Sequence, residues 1–519
     1  MTTTDWAVIA IYAVGMLAVG WYYSRRTQTT DDYLLGGRRM SPWQVGLSLF
    51  ATLLSTLTFL AIPGEMIRYG PMVLSQLLAA PFVVMVVGWI LIPVLMRQRA
   101  NSAYEILELR LGLSVRVLGS TFFLAMRLFW MALVIFATAD KVLVPVLEVD
   151  RAALPWICVV MGLLTVAYTS MGGLRAVVVT DVIQTLILFT GAGLVMVLIT
   201  IKLGGFSAWW PATWPEHWQR PVFWIEHDTR FTFAGGFVGM FAWYVCTAGA
   251  DQMAIQRYLA TRDVPSARRM FITSLTTNVI LWTFLGAVGL ALLAWFQAHP
   301  ELLPALPQPL TESDAATADA AADSSQQQLL GQADKLLPLF IVHSLPAGIS
   351  GLVIAGLLAA AMSSLSSGLN STCSVVMNDF LDRFITRTET EQNHVRRAQL
   401  ISAIIGVLVI ALGTIVGQIE GNLLELCFKI ANLLVAPLFL LFFMALFVRF
   451  ATTIGTHAGA ACSVAVAVSI AYQKELELTW LERCGVGFIW MLPASFLTGA
   501  VVGSLVSLLT TTPGRRKKS

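Results

Sequence analysis

The chain has 519 residues, of which 57% are hydrophobic and only 12% are charged, and its mean hydropathy is +0.75. Soluble domains carry roughly 25% charged residues, so this composition excludes a water-soluble protein. The net charge of +3 is spread over many short segments and forms no basic domain, which argues against a nucleic-acid partner.

Apolar runs of about 20 residues, the length of helix that crosses a hydrocarbon layer of ~30 Å, recur along the whole chain. The first run has no basic segment before it and no small-residue cleavage site after it, so we expect a retained helix and not a signal peptide. We predict about thirteen transmembrane helices, at 6–23, 42–65, 72–96, 117–141, 153–171, 176–201, 232–256, 270–296, 337–380, 398–418, 423–448, 453–473 and 485–509.

The distribution of basic residues favours an N-terminus outside and a C-terminus inside. With that orientation, 22 of the 33 Lys and Arg residues fall in cytoplasmic segments, nine fall outside, and two, Arg127 and Lys429, lie within spans. Cytoplasmic loops of membrane proteins carry such an excess of positive charge. The chain is therefore predicted to be a multi-pass protein of the plasma membrane, and a bacterial inner membrane is favoured because eukaryotic targeting features are absent.

The predicted domain organisation is one transmembrane domain over 1–512. The outside segment 202–231 is rich in tryptophan and proline and should cover the membrane surface at the headgroup level. The outside loop 298–334 is dominated by Ala, Asp, Ser and Gln, so we expect it to be disordered. Residues 513–519 form a basic cytoplasmic tail.

Asp181 lies a little inside the membrane from a predicted cytoplasmic turn. A carboxylate within a span is costly unless it is paired or faces a cavity. Two explanations stay open: Asp181 pairs with Arg175 or caps a neighbouring helix, or it binds a cation.

Four serines in one span, Ser363, Ser364, Ser366 and Ser367, place their hydroxyls on adjoining faces of one helix. In lipid, small residues of this kind commonly serve close helix packing. Hydroxyls also bind Na⁺, because hard cations prefer oxygen ligands, and free backbone carbonyls can complete such a site. Carbonyls become free only where a partner helix is broken.

A break of this kind is predicted in the second span, 42–65. Its Ser and Thr side chains between 51 and 58 can satisfy an interrupted backbone, and Pro63 with the following glycine weakens the helix further on. A second span interrupted by glycines precedes Asp251. Two interrupted helices in corresponding halves of the chain indicate a transport site between inverted repeats.

These residues together resemble the sodium:solute symporter family over nearly the whole chain. The resemblance is carried by five motifs in order: Tyr33–Arg38, Ala51–Thr58, Met171–Gly173 with Asp181–Gln184, Gln256–Leu259 and Ala359–Ser371. It implies an all-α, leucine-transporter-like fold of two inverted repeats of five helices with accessory helices. The repeats would cover about 42–201 and 232–448, and the accessory helices would lie at 6–23 and 453–509.

The resemblance also implies sodium sites. The common site of the family would be formed by the backbone carbonyls of Ala51, Leu54 and Ala360 with the hydroxyls of Ser363 and Ser364. A second site, found in some members, would be formed by Asp181, Ser363, Ser366 and Ser367. Both sets are complete in this sequence, so the resemblance predicts Na⁺ as the coupling ion and two ions per cycle.

The solute is expected to lie beside the sodium ions. The candidate contacts are Ser55, Thr58 and Gln76, with Phe129 or Trp130 and Trp243 or Tyr244 as walls. The first three look like positions that hold sialic acid in the bacterial sialic-acid branch. The arginine that binds the carboxylate in that branch falls at Phe129 here. Arg127 lies two residues away, a rotation of about 200° on a helix, so it either turns inward or serves as an ion pair or snorkelling side chain.

A second partial match points to other solutes. Leu53 replaces a hydroxyl residue of the sialic-acid branch, and Ile62–Gly70 is similar to the iodide, monocarboxylate and multivitamin branch. The nature of the solute, a sugar, a sialic acid or a carboxylate, therefore stays open.

The predicted function is secondary active Na⁺/solute symport by alternating access, with Na⁺, a small solute and the lipid bilayer as partners and no obligatory protein partner. The alternative is a symporter-like membrane sensor that acts with a separate signalling partner. An enzyme is not expected, because the intramembrane acids are scattered and the histidines lack the spacing of zinc hydrolases.

Overall fold

A computed structural model describes residues 1–98, 100, 102–224, 232–303, 326–384, 390–416, 432–473, 475–478 and 488–511. Within these ranges every regular element is a helix, as the composition predicted. The labelled helices are α1 Thr3–Ser24, α2 Pro42–Leu53, α3 Thr56–Tyr69, α4 Pro71–Met96, α5 Leu113–Thr138, α6 Leu154–Lys202, α7 Phe233–Ala250, α8 Gln252–Leu259, α9 Val264–Ala298, α10 Leu336–Ser344, α11 Ile349–Val375, α12 Glu391–Val416, α13 Val435–Phe447, α14 Thr453–Ala471 and α15 Met491–Thr510.

Ten helices in the described ranges are long and apolar enough to cross a membrane, and the number is eleven if the bent pair α2 and α3 counts as one span. α6 is long enough for two spans and contains one non-helical residue, Gly173, with φ +60° and ψ −162°. Its two halves correspond to the predicted spans 153–171 and 176–201. α13 is apolar but shorter.

The predicted break in the second span lies between α2 and α3, which meet at an angle of 69°. Leu54 and Ser55 are extended, and the Ser55 hydroxyl accepts a hydrogen bond from the Thr58 amide at 3.3 Å, so Ser55 caps a new helix. Pro63 lies inside α3 without ending it. The serine cap, and not the proline, therefore determines where this span is broken.

A second break separates α7 from α8 at Asp251. Asp251 is extended, and its carboxylate accepts a hydrogen bond from the Met253 amide at 2.8 Å, which caps α8. The glycines that suggested an interruption, Gly235, Gly236, Gly239 and Gly249, all lie within α7, and Gly249 is two residues before the break. Both broken helices pack near α11, and α11 also packs along α6. The centre of the bundle is thus formed by α2, α6, α8 and α11.

Three sequence predictions concern residues that lie partly or wholly outside the described ranges. Residues 304–325, most of the loop expected to be disordered, lie outside them, as do residues 512–519, which include the predicted basic tail, and Lys429, one of the two basic residues predicted within spans. The last residues of the loop, 326–334, include helical turns that pack on α3. The ion pair of Arg68 on α3 with Asp334, at 2.9 Å, holds them there.

Gly173, which joins the two halves of α6, provides a test of how closely this point packs against Tyr33. Its backbone conformation is one that essentially only glycine adopts, and an added Cβ would lie 2.6 Å from the Tyr33 carbonyl oxygen. Gly173→Ala should therefore cost ~1–3 kcal/mol and lower the melting temperature in sodium-free detergent solution. Gly193→Ala, on the same helix with open space around it, should leave the melting temperature unchanged or slightly higher. Equal melting temperatures would contradict this account.

Candidate functional site

The five residues expected at the common sodium site meet where α2 ends against α11. The Ser363 hydroxyl lies 2.9 Å from the Ala51 carbonyl oxygen and 3.2 Å from that of Ala360. The Ser364 hydroxyl lies 2.5 Å from the Leu54 carbonyl oxygen. The Ala51 and Leu54 carbonyls face α11 because α2 ends there, so their oxygens are not consumed by a continuing helix. The arrangement is a buried cluster of neutral oxygen atoms, the donor set that suits a dehydrated alkali cation.

A small cavity of about 10 Å³, roughly the space of one water-sized species, adjoins this cluster. It is lined by Phe50, Ala51, Leu54, Gln184, Thr185, Leu188, Ala359, Ala360 and Ser363. Four of the five predicted common-site residues are among them. The cavity therefore gives this oxygen cluster space on its α6 side.

Asp181 lies on α6 at the centre of a second polar cluster. Its carboxylate accepts hydrogen bonds from Ser48 at 2.6 Å and Ser367 at 3.2 Å, and Arg257 approaches it at 3.5 Å. The side chains of Asp181 and Arg257 are both 0% exposed. Arg257 also donates to Ser367 at 2.5 Å and to Ser48, so one buried network joins α2, α6, α8 and α11.

Asp181 does not pair with Arg175, one of the two explanations that the sequence left open. Arg175 instead pairs at 2.8 Å with Asp32, which lies on the short segment after α1. The guanidinium beside Asp181 is that of Arg257. The second oxygen of the Asp181 carboxylate, Oδ1, is buried and makes no hydrogen bond. This oxygen could accept a cation or a further donor.

The residues expected at the second sodium site are only partly together. Ser367 contacts Asp181 directly, whereas the Ser366 hydroxyl donates to the Ser363 carbonyl on its own helix at 3.1 Å. The Ser363 hydroxyl is directed toward Ala51. Thr52, which no sequence argument singled out, donates to the Ser367 hydroxyl at 2.7 Å.

Arg127 turns inward and forms an ion pair with Asp251, the residue that caps α8. Both side chains are buried. Of the possibilities that the sequence left open, the ion pair is the one seen, because a guanidinium in the interior of the bundle needs a counter-charge. The pair links α5 to the break between α7 and α8.

α8 is polar in sequence and yet fully buried. Its side chains meet polar partners on α11: Gln256 donates to the Asn370 side-chain oxygen at 2.9 Å, and Gln252 donates to the Ser374 hydroxyl at 3.2 Å. Gln252 also accepts a hydrogen bond from the Ala103 amide at 2.8 Å. These contacts join α8 to α11 and to the segment before α5.

The residues proposed to contact the solute form two groups. The hydroxyls of Ser55 and Thr58 lie 3.2 Å apart at the start of α3. Gln76 lies on α4 against Gly236 of α7, and Trp243 and Tyr244 of α7 make an edge-to-face contact at 4.9 Å. Among the described residues, no hydrogen bond or ring contact joins these two groups. A solute that touches both would have to bridge them.

Phe129, one of the two alternatives for a wall of the solute site on α5, lies on an exposed face of that helix. Its side chain is 50% exposed, on the same stripe of α5 as the exposed residues Ser114 and Thr121. The inward face of this helix carries Met126 and Arg127 instead. In an alignment without gaps, Phe129 falls at the position of the arginine that binds the carboxylate in the sialic-acid branch. The orientation of α5 turns the Phe129 side chain outward. Trp130 is partly buried.

Sequence reasoning missed Arg257, Ser48 and Thr52. Arg257 belongs to a motif that carried the family resemblance but received no role. A signal was present, because a guanidinium at the end of an apolar span needs a buried partner. Ser48 and Thr52 lie one turn apart on α2, facing Asp181 and Ser367, and only the packing of α2 on α6 and α11 reveals this.

Comparison with known proteins matches residues 33–462 to the sodium:solute symporter family. The chain is 31% identical over 478 residues to the sodium/sialic acid symporter SiaT of Proteus mirabilis, covering 91% of this chain and 90% of that protein. It is 27% identical to the sodium/sialic acid symporter NanT of Aliivibrio fischeri, covering 96% and 93% of the two chains. It is also 28% identical to human sodium-coupled monocarboxylate transporter 1, covering 92% of this chain and 75% of that protein.

Two solved structures share the architecture. A Na⁺-coupled sialic acid symporter in a substrate-bound outward-open state, described as having a novel Na⁺ site, superposes with a TM-score of 0.79 at 27% identity over 98% of each chain. The nucleobase-cation-symport-1 transporter Mhp1, in a closed conformation with bromovinylhydantoin bound, gives a TM-score of 0.54 at 12% identity, covering 92% of this chain and 94% of that one. These neighbours are leucine-transporter-like transporters, which agrees with the fold expected from the sequence.

Proposed function

The chain belongs to the sodium:solute symporter family, and we propose that it imports a small polar organic solute by alternating access with two Na⁺ ions per cycle. Its relatives are sodium-coupled transporters and not enzymes. The chain is thus a polytopic membrane transporter that couples a solute to sodium. The nature of the solute, the stoichiometry and the transport cycle are the parts that we propose, together with a plasma-membrane location.

One observation carries the proposal: the oxygen cluster where α2 ends. The Ser363 and Ser364 hydroxyls lie 2.9 Å and 2.5 Å from the carbonyl oxygens of Ala51 and Leu54. A cation bound among these atoms would join α2, at the break in the first repeat, to α11 in the second. Binding would therefore favour one relative position of the two repeats, which is what coupling by alternating access requires.

The second ion would bind at Asp181 and Ser367, with Ser363 and Ser366 reached by rotation of their hydroxyls. One charge moving through 100 mV is worth ~2.3 kcal/mol, and a tenfold ion gradient adds roughly 1.4 kcal/mol. One Na⁺ thus supports roughly several-hundred-fold accumulation of a neutral solute, and two support about 10⁵-fold. The buried, unbonded Oδ1 of Asp181 supports a cation there.

Inward opening would have to separate α8 from α11. The contacts Gln256–Asn370, Gln252–Ser374 and Arg257–Ser367 lie along this interface and would break together. Arg127–Asp251 would also be strained, because α8 would move relative to α5 as well. We infer that this polar interface is the cytoplasmic gate of the proposed cycle. The alternative of a membrane sensor has no support from the relatives, all of which are transporters.

The solute is proposed to be a sugar, a sialic acid or a carboxylate, held by Ser55 and Thr58 on one side and by Gln76, Trp243 and Tyr244 on the other. The sialic acid symporters among the relatives favour a sialic acid. The pairing of Arg127 with Asp251 disfavours a solute whose carboxylate needs that arginine. These two observations point in different directions, so a panel of solutes is the appropriate test.

The test is the thermal stability of the purified protein in NaCl and in choline chloride, with sialic acid, sugars, monocarboxylates, proline and iodide. We expect one solute class to raise the melting temperature only when Na⁺ is present, because linked ligands stabilise reciprocally. A ligand at 100 times its Kd should add ~2.7 kcal/mol. A protein that responds to neither Na⁺ nor any solute would contradict the proposal.

A further inference from the structure

Gln184, at the end of one of the motifs that carry the family resemblance, lines the small cavity beside the proposed common sodium site. It lies on α6 three residues after Asp181, so the two side chains share one face of that helix. Its side chain is buried, with 1% of the residue exposed. The other walls of the cavity carry four of the five predicted common-site residues. The Gln184 amide is therefore next to the oxygen cluster where α2 ends.

Only one half of the Gln184 amide has a partner. Nε2 donates to the Tyr12 hydroxyl at 2.9 Å, whereas Oε1 is buried and makes no hydrogen bond. The hydroxyls of Thr185 and Ser363, which also line the cavity, donate to backbone carbonyls at 2.7 Å and 2.9 Å. Among the described side chains that line the cavity, Gln184 thus holds the one oxygen without a hydrogen bond. A buried amide oxygen normally has a partner, so this atom points to a ligand in the cavity.

The Tyr12 hydroxyl determines which end of the amide is left for the cavity. Its single hydrogen is donated to Met362 Sδ at 3.4 Å, so its oxygen accepts from Gln184. This orientation holds Nε2 at Tyr12 and leaves Oε1 for the cavity. The opposite orientation would leave the amide NH₂ group for the cavity, and this group would repel a cation.

Tyr12 lies on α1, which is outside both predicted repeats but packs along α6 and α11. At the start of α11, the Asp5 carboxylate accepts hydrogen bonds from the amides of Gly348 and Gly351, at 2.8 Å and 2.9 Å. On the side of α6, a Cβ added to Gly20 would lie 2.7 Å from the Tyr168 Cα. α1 is thus fixed to the two helices that carry Gln184 and the serine cluster, and it holds the Tyr12 hydroxyl between them.

We propose that Tyr12 is a positioning residue for the common sodium site: it holds the Gln184 amide with Oε1 toward the cavity, where this oxygen joins the surroundings of the cation. This inference rests on the proposed sodium site. Hard cations prefer oxygen ligands, and hydrogen bonds from an outer shell orient such ligands. α1 therefore sets the sodium affinity although it contributes no ligand itself.

The test is the sodium response of Tyr12→Phe, which keeps the ring and removes the hydroxyl. Titration of the melting temperature with NaCl, at constant ionic strength with choline chloride, gives the Na⁺ concentration of half effect. We expect this concentration to rise about three- to tenfold, the range for loss of one hydrogen bond. The matched control is Tyr33→Phe, which removes a buried hydroxyl that donates to the Ser170 carbonyl of α6 at 2.9 Å. Its concentration of half effect should stay within about twofold of the unmodified protein.

A double-mutant cycle with Gln184→Met shows whether Tyr12 acts through the amide oxygen. Methionine keeps the length of the side chain and removes the oxygen, so Gln184→Met alone should raise the concentration of half effect about tenfold or more. When Tyr12→Phe is added to Gln184→Met, we expect a further change of less than about twofold, because the oxygen that Tyr12 positions is already absent. A tyrosine that only supports packing would have the same effect in both backgrounds.

Two results would overturn the positioning role of Tyr12. One is a Tyr12→Phe variant that melts at a lower temperature in choline chloride but keeps the sodium response of the unmodified protein. The other is a Tyr12→Phe effect that persists in full in the Gln184→Met background. If the unmodified protein responds to Na⁺ in either case, only this inference fails. If the unmodified protein itself shows no sodium response, the proposed function fails with it.

Discussion

Ser363→Ala is expected to abolish most of the sodium response of the protein. The hydroxyl lies 2.9 Å from the Ala51 carbonyl oxygen and belongs to both proposed sodium sites. Hydrogen bonds and contacts to charged groups are worth ~1.5–3 kcal/mol, so the Na⁺ concentration that gives half of the stabilising effect should rise by about 10- to 150-fold. Titration of the melting temperature with NaCl, at ionic strength held constant with choline chloride, measures this directly.

The matched control is Ser371→Ala on the same helix. Ser371 is also buried, but its hydroxyl donates only to the carbonyls of Ser367 and Gly368 in its own helix, at 2.8 Å and 3.1 Å. We expect its sodium response to stay within about twofold of the unmodified protein. If Ser363→Ala and Ser371→Ala responded equally to Na⁺, the serine cluster would be helix packing, and the common site would be wrong.

Asp181→Ala is expected to lower the Hill coefficient for Na⁺ from about two toward one, because it removes the only charged ligand of the second site. Equilibrium titration followed by tryptophan fluorescence measures the coefficient. The same change leaves Arg257 buried without its counter-charge, which typically costs ~3–5 kcal/mol, so the variant should also melt at a lower temperature without sodium.

A double variant separates the loss of sodium from the loss of stability. Asp181→Asn with Arg257→Gln removes both charges of the buried pair and keeps side chains that can form hydrogen bonds with Ser48 and Ser367. Its melting temperature without sodium should lie closer to that of the unmodified protein than that of Asp181→Ala does. Its Hill coefficient should still be near one. A coefficient near two in this stable variant would show that the second sodium does not bind at Asp181.

Much of the fold follows from patterns that are local in sequence. Apolar runs of the length of a bilayer define most helices, since the backbone in lipid must satisfy its own hydrogen bonds. The break near Ser55 was predictable as well, because a serine with an extended backbone competes with the helix for the amide hydrogens. The break at Asp251 is of the same kind, although the glycines before it pointed to it only indirectly.

The orientation of each helix about its own axis was not predictable from the sequence. Phe129 and Arg127 are two residues apart, and only the packing of α5 turns the arginine inward and the phenylalanine outward. Nearly every face of a membrane helix is apolar, so hydrophobicity gives a weak signal of which face is buried. The alignment with the sialic-acid branch could therefore not show which face of α5 carries Phe129.

By itself, the sequence determined the class of the protein, the broken spans and the residue types of the proposed sodium cluster, because span length, polarity and capping act over a few residues. Only the tertiary structure decided which charges meet: Asp181 with Arg257, Arg127 with Asp251, and Arg68 with Asp334. These partners are 76, 124 and 266 residues apart, so no local pattern specifies them. A buried or membrane-facing charge requires a partner, but the fold alone determines which one lies within reach.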